Sequence, residues 1–453
     1  MKSGLLTCAA MIALTTGVAH ADGHVDLPVA PGEGTFDWDS YNAFADATDL
    51  AGEELTIFGP WLAGEAESFS ELVAYFNAAT GAQANYVGSD SLEQQIVIDA
   101  EAGSAPDITV FPQPGLARTM AQRGFLTPLP EGTEDWVREN FAAGQSWVDL
   151  GTYANAEGEN EYYGFFFNVN VKSLVWYVPE NFEIYGYEVP QTMEELKALM
   201  DQMVADGETP FCIGLGSGGA TGWPATDWVE DLMLRTQPPE VYDQWVSNEM
   251  PFNDPAVVAA IEEFGAFALN PDYIAGEPGA LAATDFRDSP KGLFSVPPQC
   301  MMHRQASFIP AYFPEGTVLG QDADFFYFPA YAEKDLGTPV LGAGTLFSIT
   351  NDSTASDEFI EFLKTPFAHE YMMSKDGFLT PHLGADPVNY ANDAQRGQGE
   401  ILTSATTFRF DGSDLMPGGV GAGSFWTGMV DYTGGKPAQQ VADEIQASWD
   451  SLK

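Results

Sequence analysis

The chain is poor in bases, histidines and cysteines, and each shortage removes a class of function. Seventeen Lys and Arg stand against 66 Asp and Glu, a net charge of −49. A surface so negative repels phosphate backbones and anionic lipid, so no nucleic acid and no membrane surface is an expected partner. The histidines beyond the first segment, His24, His303, His369 and His382, show no zinc-ligand spacing, and no metal is expected. No G-x-S-x-G elbow occurs, and neither Cys212 nor Cys300 has a histidine signature, which leaves nucleophilic catalysis unsupported. After the first segment no run approaches the roughly 18 apolar residues of a membrane span, so the mature chain is expected to be soluble and not membrane-inserted.

What is present begins with MKSGLLTCAAMIALTTGVAHA, residues 1–21. Lys2, the apolar run from Leu5 to Leu14 and the Ala19-His20-Ala21 triplet describe a secretory signal peptide, with cleavage expected after Ala21. Export to an oxidising compartment makes the remaining pair, Cys212 and Cys300, a candidate disulfide, although spacing alone does not decide whether they bond. Single cores stop growing at roughly 250 to 300 residues, so the mature chain is expected to divide into two lobes.

An N-terminal arm, 22–52, carries Phe36, Trp38, Tyr41 and Phe44 to hold it down. ELTIFGP then predicts a strand, SFSELVAYFNAATG a helix with Phe69, Leu72, Val73 and Phe76 on one stripe, ANYVGSD a strand, SLEQQIVIDAEAG a helix and DITVFPQPG a strand. This β-α-β-α-β order predicts a parallel sheet whose ligand positions lie past the strand ends, at Trp61, Asp90 and Gln113. A second α/β set starts at YYGFFFNVNVKSLVWYVP, where Asn168 and Asn170 interrupt an aromatic run as a chain crossing between lobes beside a polar cavity would. Further strands are expected at FCIGLG, GLFSVP, DFFYFPAY and TLFSIT. Helices are expected at TMEELKALMDQMVADG, with Thr192 and Glu195 as a capping box, and at PAVVAAIEEFGAFAL, SDEFIEFLK and PAQQVADEIQASW.

GLGSGG, from Gly214 to Gly219, formally matches a dinucleotide-binding loop, but Trp223-Pro224 intrudes where the phosphate-binding helix should open. It reads instead as a glycine-rich ligand loop, with no cofactor. Asp227, Glu230 and Asp231 in TDWVED supply the two carboxylates a glycosidase needs; in so acidic a chain a solvated helix face with one ligand-binding carboxylate is the favoured reading. The aromatics are more telling. Trp61, Trp223 and Trp426 each stand beside Gly, Pro or Thr at loops or helix starts. A sugar ring has an apolar C–H face that stacks on an indole, and hydroxyls that need Asp, Asn, Gln or backbone partners.

The segments APDITVFPQPG, YYGFFFNVNVKSLVWYVPENF, GGATGWPATDWVEDLMLR, GAGTLFSIT and GAGSFWTGMVDYTGGK, in this order, resemble the extracellular solute-binding proteins of maltose-type carbohydrate ABC transporters. RFDGSDLMPG and TGWPATDWVEDLMLRTQPPEVYDQW resemble in particular the alpha-glucoside-binding subunit. The resemblance implies an α/β, two-lobed periplasmic binding protein fold, each lobe a doubly wound sheet flanked by helices, joined by hinge crossings. Lobe 1 is then 53–168 and 344–412, and lobe 2 is 169–343 and 413–453. It implies a monomer, not an enzyme, that takes a neutral α-glucoside in the inter-lobe cleft and docks on permease subunits in the periplasm. The alternatives are a secreted glycoside hydrolase, or a binder of a polyol or compatible-solute glucoside. By position, Trp61, Asp90 and Gln113 resemble first-lobe contacts, Trp223 and Asp227 second-lobe contacts, and Gly344 and Thr345 the return crossing. Asn170 stands where the maltose binder has a glutamate. His303 and Gln305 lie where the family often places a stacking tryptophan, and Trp426 aligns with the stacking tryptophan near the C-terminal helices. Arg409, Asp411 and Asp414 are the subfamily's candidates.

Overall fold

The structure, a computed structural model, describes residues 27–452 apart from 143 and 376. The expected signal peptide, 1–21, lies outside the described residues. In chain order the strands are β1 Glu54–Gly59, β2 Gln83–Gly88, β3 Ile108–Phe111, β4 Thr152–Ala154, β5 Asn160–Tyr162, β6 Phe165–Val171, β7 Leu174–Tyr177, β8 Met302–Arg304, β9 Asp324–Tyr327, β10 Pro339–Ile349 and β11 Thr407–Phe410. The first sheet runs β11-β10-β3-β1-β2, with β6 also paired to β10. β1 is parallel to β2 and β3, as the β-α-β order requires, while β10 runs antiparallel to β3 and β6.

The helices of this first body form where the apolar stripes stand. Phe69, Leu72, Val73 and Phe76 of helix Ala63–Thr80 face the sheet, and Gly81 ends the helix in the left-handed region at φ 76°. Trp38, Tyr41 and Phe44 of helix Trp38–Ala47 are buried in the same core, so the arm is part of the first lobe's fold.

A second core gathers residues between Val175 and Leu341 and again between Met416 and Trp449. Helix Met193–Asp206 opens with the reciprocal Thr192–Glu195 cap. The sheet of this lobe is smaller than the doubly wound sheet expected: three antiparallel strands, β8-β7-β9. FCIGLG adds only single bridges, from Phe211 to Ile274 and Met302 and from Gly216 to Asp285. Gly214 and Gly216 lie so close to the Thr284 carbonyl that a Cβ on either would stand 2.9 Å from it, and the chain here threads a tight loop. GLFSVP is no strand either. Its first residues close the 3-10 turn Ser289–Phe294, because Pro290, Pro297 and Pro298 withhold the N–H groups that a ladder needs. Cys212 and Cys300, left undecided above, are joined by a disulfide on this lobe.

Two strands run across the boundary between the cores. On β10, Leu341 belongs to the second core and Ala343 to the first, and on the antiparallel β6 the pairs Gly342–Val171, Ala343–Asn170, Gly344–Val169 and Thr345–Asn168 lie at the crossing.

Candidate functional site

The strand ends and the crossing open on one half-open cavity between the lobes. Pro60 and Trp61 follow β1, Ser89 and Asp90 follow β2, and Pro112 and Gln113 follow β3, since loops at the carboxyl ends of parallel strands gather on one edge. Asn170 and, on β10, Gly344 and Thr345 form the floor. The other lobe contributes Trp223 and Asp227 from the first turn and a half of helix Trp223–Thr236, Asp414 from the turn Gly412–Leu415, and Trp426 from the start of helix Trp426–Thr433.

Among the described residues, five polar atoms in this lining are buried without a hydrogen-bond partner: Gln113 Oε1, Asp227 Oδ2, Arg287 Nε, Thr345 Oγ1 and Trp426 Nε1. Each such atom costs about 1–3 kcal/mol when left unpaired. Their convergence on one cavity, from both lobes and the crossing, marks where the polar groups of a ligand fit.

Lys172 anchors the charged side of the cavity. Its ammonium donates to Asp227 Oδ1 at 2.8 Å and to Asp411 Oδ2, and lies 5.3 Å from the Trp223 ring centre. Burial alone would push the ammonium down, but Asp227 and Asp411 hold it well above its usual value. One ammonium does not charge-balance both carboxylates. Asp411 also accepts from Ser413 Oγ and the Asp414 N–H, both at 2.9 Å. Burial pushes it up, yet the charge and hydrogen bond of Lys172, together with hydrogen bonds from Glu230 and the Asp414 N–H, hold it down to about 2. Burial pushes Asp227 up to about 7 despite Lys172, and raises Asp414, which also faces the Asp411 charge. Glu230 completes a buried trio with Asp227 and Asp411 close enough to share a cation, but it accepts the N–H groups of Gly412 and Ser413 at 3.0 and 2.9 Å, and the lysine already serves the other two. Asp231 binds Ser173, Arg235 and Arg304. The helix carrying TDWVED is thus buried along this stretch, not a solvated face, and only Asp227 of its acids lines the cavity.

Contacts cross between the lobes. The Tyr312 hydroxyl donates to Glu65 Oε2 at 2.5 Å, and the Gly219 N–H to the Asp90 carbonyl at 3.1 Å. Gly218, at φ +56°, leaves no room for a side chain: a Cβ would stand 2.3 Å from Asp90 Oδ2. The glycine-rich loop therefore does meet the first lobe, and its Ser217 lines the cavity.

Three expected residues lie elsewhere. His303 is buried on β8, its Nδ1 2.9 Å from the Cys212 carbonyl, and burial pushes its imidazole down to about 4. Gln305 turns back so that its Oε1 accepts the Ala306 N–H at 2.8 Å. Arg409 on β11 reaches away from the cavity and grips Asp243 with two nitrogens, at 2.6 and 2.8 Å. The missed residues include Lys172, Glu65, Glu93, Arg287, Phe308 and Tyr312. Lys172 had a signal: in FFFNVNVK the polar residues alternate, so Asn168, Asn170 and Lys172 share one strand face. Arg287, Phe308 and Tyr312 come from irregular segments whose sequence carries no periodicity.

Two α/β lobes with crossing strands and a polar, tryptophan-lined cavity between them define a ligand-binding protein of the hinged kind. The chain belongs to the bacterial extracellular solute-binding proteins, whose family model matches residues 60–373. It is 58% identical, over the whole of both chains, to the alpha-glucosides-binding periplasmic protein AglE of Rhizobium meliloti. It is 41% identical to the osmoprotective compounds-binding protein GgtB of Synechocystis, over 88% of this chain and 92% of that one. Among solved structures, the bacterial solute receptor AcbH, described with a preference for β-D-galactopyranose, superposes with a TM-score of 0.76 at 18% identity, over 89% of this chain and 100% of that one.

Proposed function

We propose that the protein captures an α-glucoside, a disaccharide or a glucoside of similar size, in the cavity between its lobes, and delivers it unaltered to the permease subunits of an ABC importer. The lobes divide at 168/169, 343/344 and 412/413, and the mature chain acts as a monomer in the periplasm after cleavage behind Ala21. The observation that carries this reading is the set of five unpartnered polar atoms, on Gln113, Asp227, Arg287, Thr345 and Trp426, in one cavity whose wall includes Trp61, Trp223 and Trp426. Hydroxyls satisfy such atoms in either sense, and the indoles offer faces to the C–H side of a ring. The acids of the lining, with Lys172 committed to Asp227 and Asp411 and Arg287 paired to Asp285, disfavour an anionic ligand. The similarity to the alpha-glucosides-binding AglE supports the α-glucoside class, and that to GgtB favours osmoprotective glucosides as the second reading. Because the ligand touches both lobes at once, it favours the closed arrangement by its differential affinity.

A thermal-shift panel of trehalose, sucrose, maltose, glucosylglycerol and glucose tests the reading, since a ligand of the native state raises stability with ln(1 + [L]/Kd). At least one α-glucoside is expected to raise the melting temperature. A shift with none of them, or release of glucose from any of them, contradicts the proposal.

A further inference from the structure

Beside the main cavity, and adjoining it at Trp61, Glu65 and Phe308, which line both, lies a second, smaller and half-open chamber. Its floor is Asn168, and it is otherwise walled largely by apolar groups such as Phe69, Met372 and Phe378. Asn168 is 6% exposed, and its Oδ1 has no hydrogen-bond partner. The position of this amide connects the two spaces. Asn168 and Asn170 share a face of β6, and a strand advances ~3.3 Å per residue, so they stand roughly 7 Å apart along the same floor. Asn170 lies under the main cavity, and Thr345, the cross-strand partner of Asn168, carries one of the unpartnered hydroxyls there. Directly opposed side chains of an antiparallel pair point to the same side. The unsatisfied polar floor thus runs on from the main cavity into the chamber. The charges at its edge are spent: Lys375 donates to Glu71 at 2.5 Å, and Glu65 accepts from Tyr312 at 2.5 Å.

We propose that this chamber is a second subsite, which takes a neutral, hydroxyl-bearing unit joined to the glucose ring held in the main cavity, with Asn168 as the group that recognises its hydroxyls. The proposal rests on the function proposed above. The unit has to be neutral because, among the described residues, the charges that line the chamber, Glu65 and Lys375, are both committed. It has to carry hydroxyls because Asn168 Oδ1 needs a donor, and it needs an apolar side to lie on the phenylalanines and Met372.

The test is calorimetric titration of the mature protein with methyl α-D-glucoside, which has no second unit, with trehalose and maltose, which carry a second ring, and with glucosylglycerol, which carries a short polyol. Wild type is expected to bind at least one two-unit ligand about tenfold or more tightly than methyl α-D-glucoside. Asn168→Leu is expected to weaken that ligand about tenfold and to change methyl α-D-glucoside less than twofold. Ser68→Tyr fills the chamber from the surface of helix Ala63–Thr80 without touching the floor strand, and is expected to discriminate in the same direction. If Asn168→Leu weakens both kinds of ligand by disturbing β6, the Ser68→Tyr result decides. Equal wild-type affinity for one-unit and two-unit ligands, or equal effects of Ser68→Tyr on both, overturns the subsite while leaving the α-glucoside reading intact. Binding of none of these compounds overturns that reading and the subsite with it. Preference for the rings or for glucosylglycerol tells which second unit fits.

Discussion

Trp426 shows how local sequence context and structural cause can differ at a single residue. Its small neighbours suggest a ring left clear for a ligand, and the residue lines the cavity although it is 2% exposed. Yet the glycines serve the backbone. A Cβ on Gly421 would stand 1.8 Å from the Ser413 carbonyl, and one on Gly222 would stand 2.2 Å from the carbonyl of Trp426 itself, so glycine is what lets these segments meet. The indole N–H remains unpartnered. Trp426→Phe keeps a stacking face but removes that donor, a loss of about 1 kcal/mol for a neutral hydrogen bond. Calorimetry is expected to show α-glucoside binding weakened three- to tenfold, and Trp426→Ala, which also removes the face, is expected to lose more. Unchanged affinity in both would take the residue out of the site. Lys172 carries the opposite kind of load, structural as much as functional. Removing one partner of a buried ion pair costs about 3–5 kcal/mol, so Lys172→Met is expected to lower the unfolding free energy by that order in a denaturant titration. A loss below 1 kcal/mol would mean that Asp227 and Asp411 do not depend on it.

At the scale of elements, legibility followed periodicity. Helix Ala63–Thr80 and helix Met193–Asp206 were legible because their stripes and caps are local, and the β1-β2-β3 order because alternation with helices dictates it. Trp61, Asp90 and Gln113 were then placeable without knowing the fold in detail, since they follow strand ends. His303 and Gln305 were not. Their neighbourhood was inferred from a family position, but His303 on β8 turns to the Cys212 carbonyl and Gln305, just past the strand, to the Ala306 N–H. Arg409 misled because its partner, Asp243, is 166 residues away, a pairing that no local pattern announces. Lys172 stands in plain alternation, but its partners Asp227 and Asp411 are 55 and 239 residues away, beyond any local pattern. The Cys212–Cys300 link is an element-scale constraint, closing 88 residues of separation across the second lobe. In the chain-entropy model such a loop is worth about 4 to 5 kcal/mol. The double Ser variant is expected to melt well below wild type, and melting of wild type is expected to become sensitive to reductant. Indifference to reductant would argue that the bond adds nothing to the native state.

At the scale of the whole molecule, buried titratable groups make stability depend on pH in two opposed ways. Burial pushes His303 down to about 4 and His369 well below its usual value, so both stay neutral in the fold while the unfolded chain protonates them below about 6.5. Their effect is to lower stability as pH falls from 6.5 toward 4. Glu65 and Asp227 behave in reverse. Enclosure between the lobes, opposed by Tyr312 and Arg287, raises Glu65 to about 7, and burial raises Asp227 to about 7. Their contribution is full below the ordinary carboxylate range and is lost as pH rises through 7. Above pH 6.5 only the second effect remains, so the melting temperature is expected to fall between pH 6.5 and 8; a rise across that window would contradict these assignments.

The contacts Tyr312–Glu65 and Gly219–Asp90 join the two lobes beside the cavity, and the proposed closure would make and break them. Small-angle X-ray scattering of the mature protein, with and without a saturating α-glucoside found by thermal shift, measures that motion directly. The account predicts a smaller radius of gyration with the sugar, at one sugar per chain. Superimposable scattering curves in the two states, with the sugar bound, would contradict closure of two lobes over a ligand.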